Sequence, residues 1–139
     1  MSKSDAYEED FLDMELNGAD IPGLCTATTD DLQLHLHVAD PGEAGLTTTS
    51  PATYTGYTPI TVTRPNANFT VTGGSASNAV AFQFPQNTGA DQDVLFWSCS
   101  VNGSTTILRR GQINGGAGQT IATNSDADFA VGSMTITED

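Results

Sequence analysis

The stretch LHLHVADPG, residues 34–42, alternates apolar and polar side chains and then reaches a turn. In a β-strand successive side chains point to opposite faces, so His35 and His37 share one face and the neighbouring leucines and valine share the other. Asp40-Pro41-Gly42 is typical of a turn, because the aspartate side chain bonds its own backbone and proline fixes φ. The stretch therefore predicts a strand over residues 32–38 that runs into a turn.

Similar short runs, rich in β-branched residues and separated by turn residues, recur along the rest of the chain. The predicted strands lie near residues 32–38, 53–63, 68–72, 79–84, 93–101, 105–110, 119–123 and 128–137. Eight short strands without crossover helices indicate an all-β fold, an antiparallel β-sandwich that is jelly-roll-like. We assign residues 32–139 to this β-sandwich domain and residues 1–31 to an acidic N-terminal helix and connector.

Residues 4–18 predict one short N-terminal helix. Ser4 or Asp5 caps its free backbone N–H groups, and Asn17-Gly18 supplies a stop that tolerates positive φ. The apolar positions form one stripe along the helix: Tyr7, Phe11 and Met14, with Leu12 and Leu16 alongside. The acids of the helix are either a solvated face or a docking surface for a basic partner, so the stripe is a candidate partner-contact surface.

The charge balance is strongly acidic, with 4 basic against 17 acidic residues and a formal net charge of −13. Binding to DNA or RNA needs a cation for each phosphate contact, so this balance argues against nucleic acid, and equally against an anionic membrane surface. No stretch has the length of an apolar membrane-spanning helix, and the first residues do not resemble a secretory leader. We therefore expect no nucleic acid, no membrane, and a charged partner whose surface is basic.

The two histidines raise the question of a metal or catalytic site. His35 and His37 have a suitable spacing on one strand face, but a metal site needs at least a third ligand in fixed geometry. Asp40 is the one nearby candidate, and the turn already explains it. Cys25 and Cys99 lack metal-ligand spacing; we predict two buried thiols, with a disulfide between them as the alternative. We predict no metal, no cofactor and no catalytic residue, and we expect that the protein is not an enzyme.

Aromatic and basic residues of the predicted sheets leave more than one interpretation open. Tyr54 and Tyr57 either form an exposed platform that stacks on sugars or pack together beside a glycine bend. Trp97 lies in an apolar run that is typical of a core. Arg109-Arg110 is the one basic doublet, and it either contacts a partner or pairs with some of the acids. Tyr54, Tyr57, Arg109 and Arg110 are therefore candidate partner contacts, in addition to the apolar stripe of the helix.

Several segments resemble a family of small tailed-bacteriophage virion proteins that carries an LHTADPGEAG signature. Residues 36–45, LHVADPGEAG, are similar to that signature, with Val38 in place of threonine. Residues 54–57, YTGY, resemble the family's YTGYxR block, although Thr58-Pro59 departs from its usual continuation. Residues 69–79 resemble its WTVTGNSASNAAAI segment, and the final MTITED is similar to its LTITED ending.

The resemblance implies a β-sandwich placed on the virion and no catalysis. Members of that family are described as capsid decoration (cementing) proteins or as tail-fibre-associated proteins. We therefore expect a capsid cementing protein that is made in the host cytoplasm, binds the major capsid protein on the outer capsid surface, and forms a homodimer. The alternatives are a tail-fibre or tail-associated component, and a carbohydrate-binding β-sandwich that uses Tyr54 and Tyr57.

Overall fold

The computed structural model describes residues 3–24 and 30–138. The helix α1 (Asp5–Asn17) is followed by short strands: β1 (Leu32–His37), β2 (Ile60–Val62), β3 (Phe69–Thr72), β4 (Ser75–Asn78), β5 (Phe82–Gln83), β6 (Gln92–Val94), β7 (Phe96–Val101), β8 (Arg109–Gln112), β9 (Gln119–Ile121), β10 (Asp128–Phe129) and β11 (Thr135–Thr137). Within the described residues, no helix is long and apolar enough to cross a membrane. The predicted all-β class, with antiparallel sheets and one short N-terminal helix, is confirmed.

Five predicted strands have different boundaries in the structure. The segment 93–101 is divided at Leu95 into β6 and β7, and β8 begins only at Arg109, late in the segment 105–110. The segment 128–137 contains β10 and β11, separated by a turn at Gly132, whose φ is 76°.

The segments 53–63 and 79–84 are also shorter than predicted. Over residues 53–63 only β2 is in a sheet, because the chain turns at Gly56, whose φ is 100°. Over residues 79–84 only β5 is extended, and β4 precedes that segment. Gly73 and Gly74, with φ of 55° and 73°, make the tight turn that lets β4 pair with β3. Glycine adopts positive φ without the steric cost that other residues meet, and these turns therefore fix where the strands begin.

The first of two compact units contains α1 and the antiparallel sheet β11-β4-β3. Its described residues are 3–24, 30–31, 63–82 and 129–138. Leu12 and Leu16 are fully buried on the side of α1 that packs against β3 and β4. The Ser4 hydroxyl accepts the N–H of Tyr7 at 3.4 Å, and Gly18 ends the helix in the left-handed region with a φ of 73°. The predicted helix and its two ends are confirmed.

The second unit, residues 32–62 and 83–128, contains the antiparallel sheet β2-β1-β7-β8 and the strand pair β6-β9. Strand β1 is paired on both sides, with β2 and with β7. The three leucines of β1 are at most 1% exposed, and they form one side of the core of this unit: Leu32, Leu34 and Leu36. The remaining two short strands, β5 and β10, pair with each other.

Strand β7 supplies two buried side chains to the core, the Trp97 indole and the Cys99 thiol, both as predicted. The same prediction for Cys25 falls outside the described residues. Trp97 lies opposite Gly111 of β8 in the sheet register, and a Cβ atom added at Gly111 would lie 2.7 Å from the Trp97 Nε1. The indole therefore packs directly on the β8 backbone, in space that a glycine leaves open.

Replacing Gly111 by alanine is expected to destabilise the protein by about 1–3 kcal/mol, because the added methyl group overlaps the indole of Trp97. The measurement is the free energy of unfolding from a denaturant titration. In a Trp97→Phe background the smaller ring leaves room, and the same substitution should cost less. Equal costs in the two backgrounds would contradict the proposed contact.

Candidate functional site

The two histidines of β1 are buried on one face of the sheet, and each forms a hydrogen bond with a serine of the neighbouring strand β7. His35 Nε2 lies 3.2 Å from the Ser100 hydroxyl, and His37 Nε2 lies 2.7 Å from the Ser98 hydroxyl. His37 Nδ1 lies 2.8 Å from the backbone carbonyl of Thr49. Because a carbonyl only accepts, Nδ1 of His37 carries the proton, and its Nε2 accepts from Ser98. Both histidines thus act as hydrogen-bonding side chains within the fold.

Burial keeps these imidazoles neutral. Desolvation, and secondarily the neighbouring His37, lowers the pKa of His35 from 6.5 to about 4. Burial also lowers the pKa of His37, although the hydrogen bond to Thr49 and the charge of Asp40 act in the opposite direction. Among residues 3–24 and 30–138, no group of three or more histidine, cysteine, aspartate or glutamate side chains is placed to hold a metal ion.

The turn that follows β1 forms as predicted. Asp40 Oδ1 accepts the backbone N–H of Gly42 at 2.8 Å, and Gly42 takes a φ of 75°. The same carboxylate oxygen accepts a hydrogen bond from Arg110 Nη1 at 2.6 Å. Arg109 and Arg110 are both half-buried on β8, the edge strand of its sheet. Pairing with an acid is therefore confirmed for Arg110, and contact of either arginine with a partner stays a prediction.

Tyr54 and Tyr57 lie together in a cluster with Phe84. The two tyrosine rings meet edge to face with centroids 5.2 Å apart, and Tyr57 stacks on Phe84 at 6.3 Å. Tyr54 is only 5% exposed, and its hydroxyl donates to the carbonyl of Pro85 at 3.0 Å. Burial raises the pKa of Tyr54 to about 12, so the phenol stays neutral. The interpretation of an exposed sugar-stacking platform is wrong for Tyr54, which packs in the core.

A groove of about 470 Å³ shares Phe84 with this cluster. Its lining residues are Ile60, Gln83, Phe84, Pro85, Gln86 and Asp126. Gln83 Nε2 donates to the Asp126 carboxylate, and Gln86 Nε2 donates to the backbone carbonyl of Asn124 at 2.8 Å. The sequence patterns did not indicate this groove, because carboxamides follow no periodicity and the lining comes from three separate segments of the chain.

The apolar positions of α1 divide between two faces. Leu12 and Leu16 are fully buried, whereas Tyr7 is 37% exposed and Phe11 and Met14 are half-buried. With 3.6 residues per turn, the second group lies roughly opposite the first. The Tyr7 and Phe11 rings are 6.5 Å apart. The helix therefore has a leucine face that packs against its own unit and an outward aromatic stripe, in place of the predicted single stripe.

Comparison with known families places the chain among phage proteins. Residues 2–137 match the Gp80 family model, which is described as podophage GP4 fiber I protein gp80. The chain belongs to this gp80 family. No curated protein matches it. As a member of the gp80 family, the protein is a structural component of the bacteriophage virion, which confirms the predicted phage virion family and virion location.

The buried histidines of this gp80-family protein predict a loss of stability in mild acid. Because the pKa of each is lower in the folded than in the unfolded state, the unfolded chain binds protons first. Their contribution is fully present above a pH of about 6.5 and is lost as the pH falls toward about 4, where His35 itself titrates.

Replacement of His35 and His37 by glutamine is therefore expected to flatten the decrease in the free energy of unfolding between about pH 7 and pH 5. Denaturant titrations of both proteins across this range provide the measurement. The carboxylates titrate in both proteins, so the difference between the two curves isolates the histidines. If the two curves run parallel, the histidines do not control the acid sensitivity.

The two faces of α1 are expected to respond differently to truncation. Leu12→Ala should lower the free energy of unfolding by about 2–5 kcal/mol, because it leaves a cavity under the helix. Tyr7→Ala removes a ring that is 37% exposed and leaves no enclosed cavity, so it should cost less than about 1 kcal/mol. Denaturant titration checks both values. A loss for Tyr7→Ala as large as that for Leu12→Ala would show that the outward stripe is part of the core.

Proposed function

We propose that this gp80-family protein is a structural component of a virion fibre, where it binds neighbouring fibre or tail proteins and catalyses no reaction. The observation that carries the proposal is the family match, which spans residues 2–137 and is described as a fiber protein. A match of that length includes residues of both compact units, so the proposal concerns the chain as a whole.

The charge distribution supports binding to a basic neighbour. Helix α1 carries six acids and no base: Asp5, Glu8, Glu9, Asp10, Asp13 and Glu15. A surface of this sign attracts a basic protein and repels nucleic acid and anionic lipid. The outward stripe of Tyr7, Phe11 and Met14 lies on the same helix and adds apolar contact area. We assign the outward stripe, with the acids that flank it, to the contact with the partner.

Capsid decoration is the second candidate function, because the family that residues 36–45 resemble includes capsid decoration proteins as well as tail-fibre-associated ones. A cementing protein that binds only the assembled shell stabilises that shell by its binding free energy, repeated over many copies. In this function the partner is the major capsid protein, the site is the outer capsid surface, and a homodimer bridges neighbouring subunits, since closed two-fold interfaces are the commonest kind. The net charge of −13 suits a position away from packaged DNA.

Copy number in purified virions separates the two functions. A cementing protein is present at a fixed ratio close to that of the major shell subunit, whereas a fibre component is present at a small fraction of it. Quantitative mass spectrometry of virions gives this ratio, and antibody labelling in electron micrographs gives the position. Labelling at the fibres with a low ratio supports the fibre proposal, and labelling over the whole head overturns it.

Virions made without this protein are expected to lack a fibre and to keep their heads intact. Their packaged DNA should be released on heating at the same temperature as that of wild-type virions, because the shell has lost no binding partner. Thermal release followed with a DNA-binding dye provides the measurement. Earlier release that is reversed by adding purified protein would support capsid decoration and contradict the fibre function.

A further inference from the structure

We propose that the groove lined by Ile60, Gln83, Phe84, Pro85, Gln86 and Asp126 binds an arginine side chain of a neighbouring virion protein. This inference deepens the proposed function, on which it rests, because it assigns a second contact, in the second unit, and states the chemistry of the partner. This second contact is separate from the acidic helix α1. It depends on the shape and the hydrogen-bonding groups of the groove as well as on net charge.

The polar groups of the groove are arranged to accept hydrogen bonds. The carboxamide of Gln83 is held by its bond to the Asp126 carboxylate, and that of Gln86 by its bond to the Asn124 carbonyl. In both side chains the amide nitrogen makes the hydrogen bond that fixes the orientation. Within the described part of the chain, no group donates a hydrogen bond to the two amide oxygens or to Asp126 Oδ1. A ligand that satisfies three such oxygens must be rich in N–H or O–H donors.

The charge of the groove selects a cation. Asp126 is the one ionised lining residue, and none of the other five carries a basic group. The wider protein, at a formal charge of −13, raises the local concentration of cations further. A guanidinium presents five N–H donors in a rigid plane and therefore satisfies several oxygens at once, which a compact ammonium does less well.

The apolar walls suit the stem of the same side chain. Ile60 and Pro85 are half-buried beside the polar groups, and Phe84 closes the floor. Long basic side chains bury their methylene groups on such surfaces while the charged end meets polar partners. A neutral sugar fits less well, because sugars stack on exposed ring faces, and Phe84 and Tyr54 are only 2% and 5% exposed.

The experiment is a titration of isotope-labelled full-length protein with the end-blocked tripeptide Gly-Arg-Gly, followed by two-dimensional NMR. We expect shifts at backbone amides of residues 83–86 and 126, and no comparable shifts with the same peptide carrying citrulline, its neutral isostere. Asp126→Asn should weaken binding at least tenfold, because it removes the charge that the guanidinium meets. Glu43→Gln is the matched control, since it removes one charge from an exposed residue that is outside the groove and away from β5 and β10.

Gln86→Ala provides a second variant, because Gln86 is exposed and its truncation should weaken binding several-fold without disturbing the fold. Three results would each overturn the proposal: equal binding of the citrulline peptide, equal weakening by Glu43→Gln, or shifts with methyl glucoside in place of the arginine peptide. The titration uses purified protein, so it is independent of position in the virion. If the protein is located in the fibre but does not bind the arginine peptide, only the groove proposal is wrong. If it binds the peptide but is located on the shell, only the proposed fibre function is wrong.

Discussion

Strand β1 buries the side chains of His35 and His37, which are 7% and 0% exposed, so both imidazoles must find hydrogen-bond partners within the protein. An unsatisfied buried donor or acceptor costs about 1–3 kcal/mol, which makes this requirement strict. His35 meets it through Ser100, and His37 through Ser98 and the Thr49 carbonyl. Both ring nitrogens of His37 are used in these bonds. Residues that resemble a metal pair in the sequence therefore hold three segments of the second unit together.

The parts of the fold that follow a local period were predictable from the sequence. The alternation in β1, the turn at Asp40 and the helix between Ser4 and Gly18 each depend on residues close together in the chain. The orientation of α1 was not predictable, because both Leu12 and Tyr7 are apolar and the sequence does not say which face meets the sheet. The groove was missed for a related reason: Gln83 and Asp126 meet only after the chain has folded.

The buried histidines and Tyr54 are engaged in hydrogen bonds within the fold. The tyrosine cluster is packed, and the exposed groups of the described residues are mainly acids and short polar side chains. Under the proposed fibre function, the protein acts by where it binds its neighbours. The family match supports this proposal, since a structural component of the virion needs a stable shape and complementary contacts.

The order of the strands along the chain also has a consequence for how the protein is made. The second unit is complete once residue 128 has been synthesised, whereas the sheet of the first unit waits for β11 near the end of the chain. Until then one edge of β4 has no strand beside it, and open strand edges promote association between chains. The acids of α1, which packs against β3 and β4, give each nascent molecule a charge that keeps it apart from its neighbours.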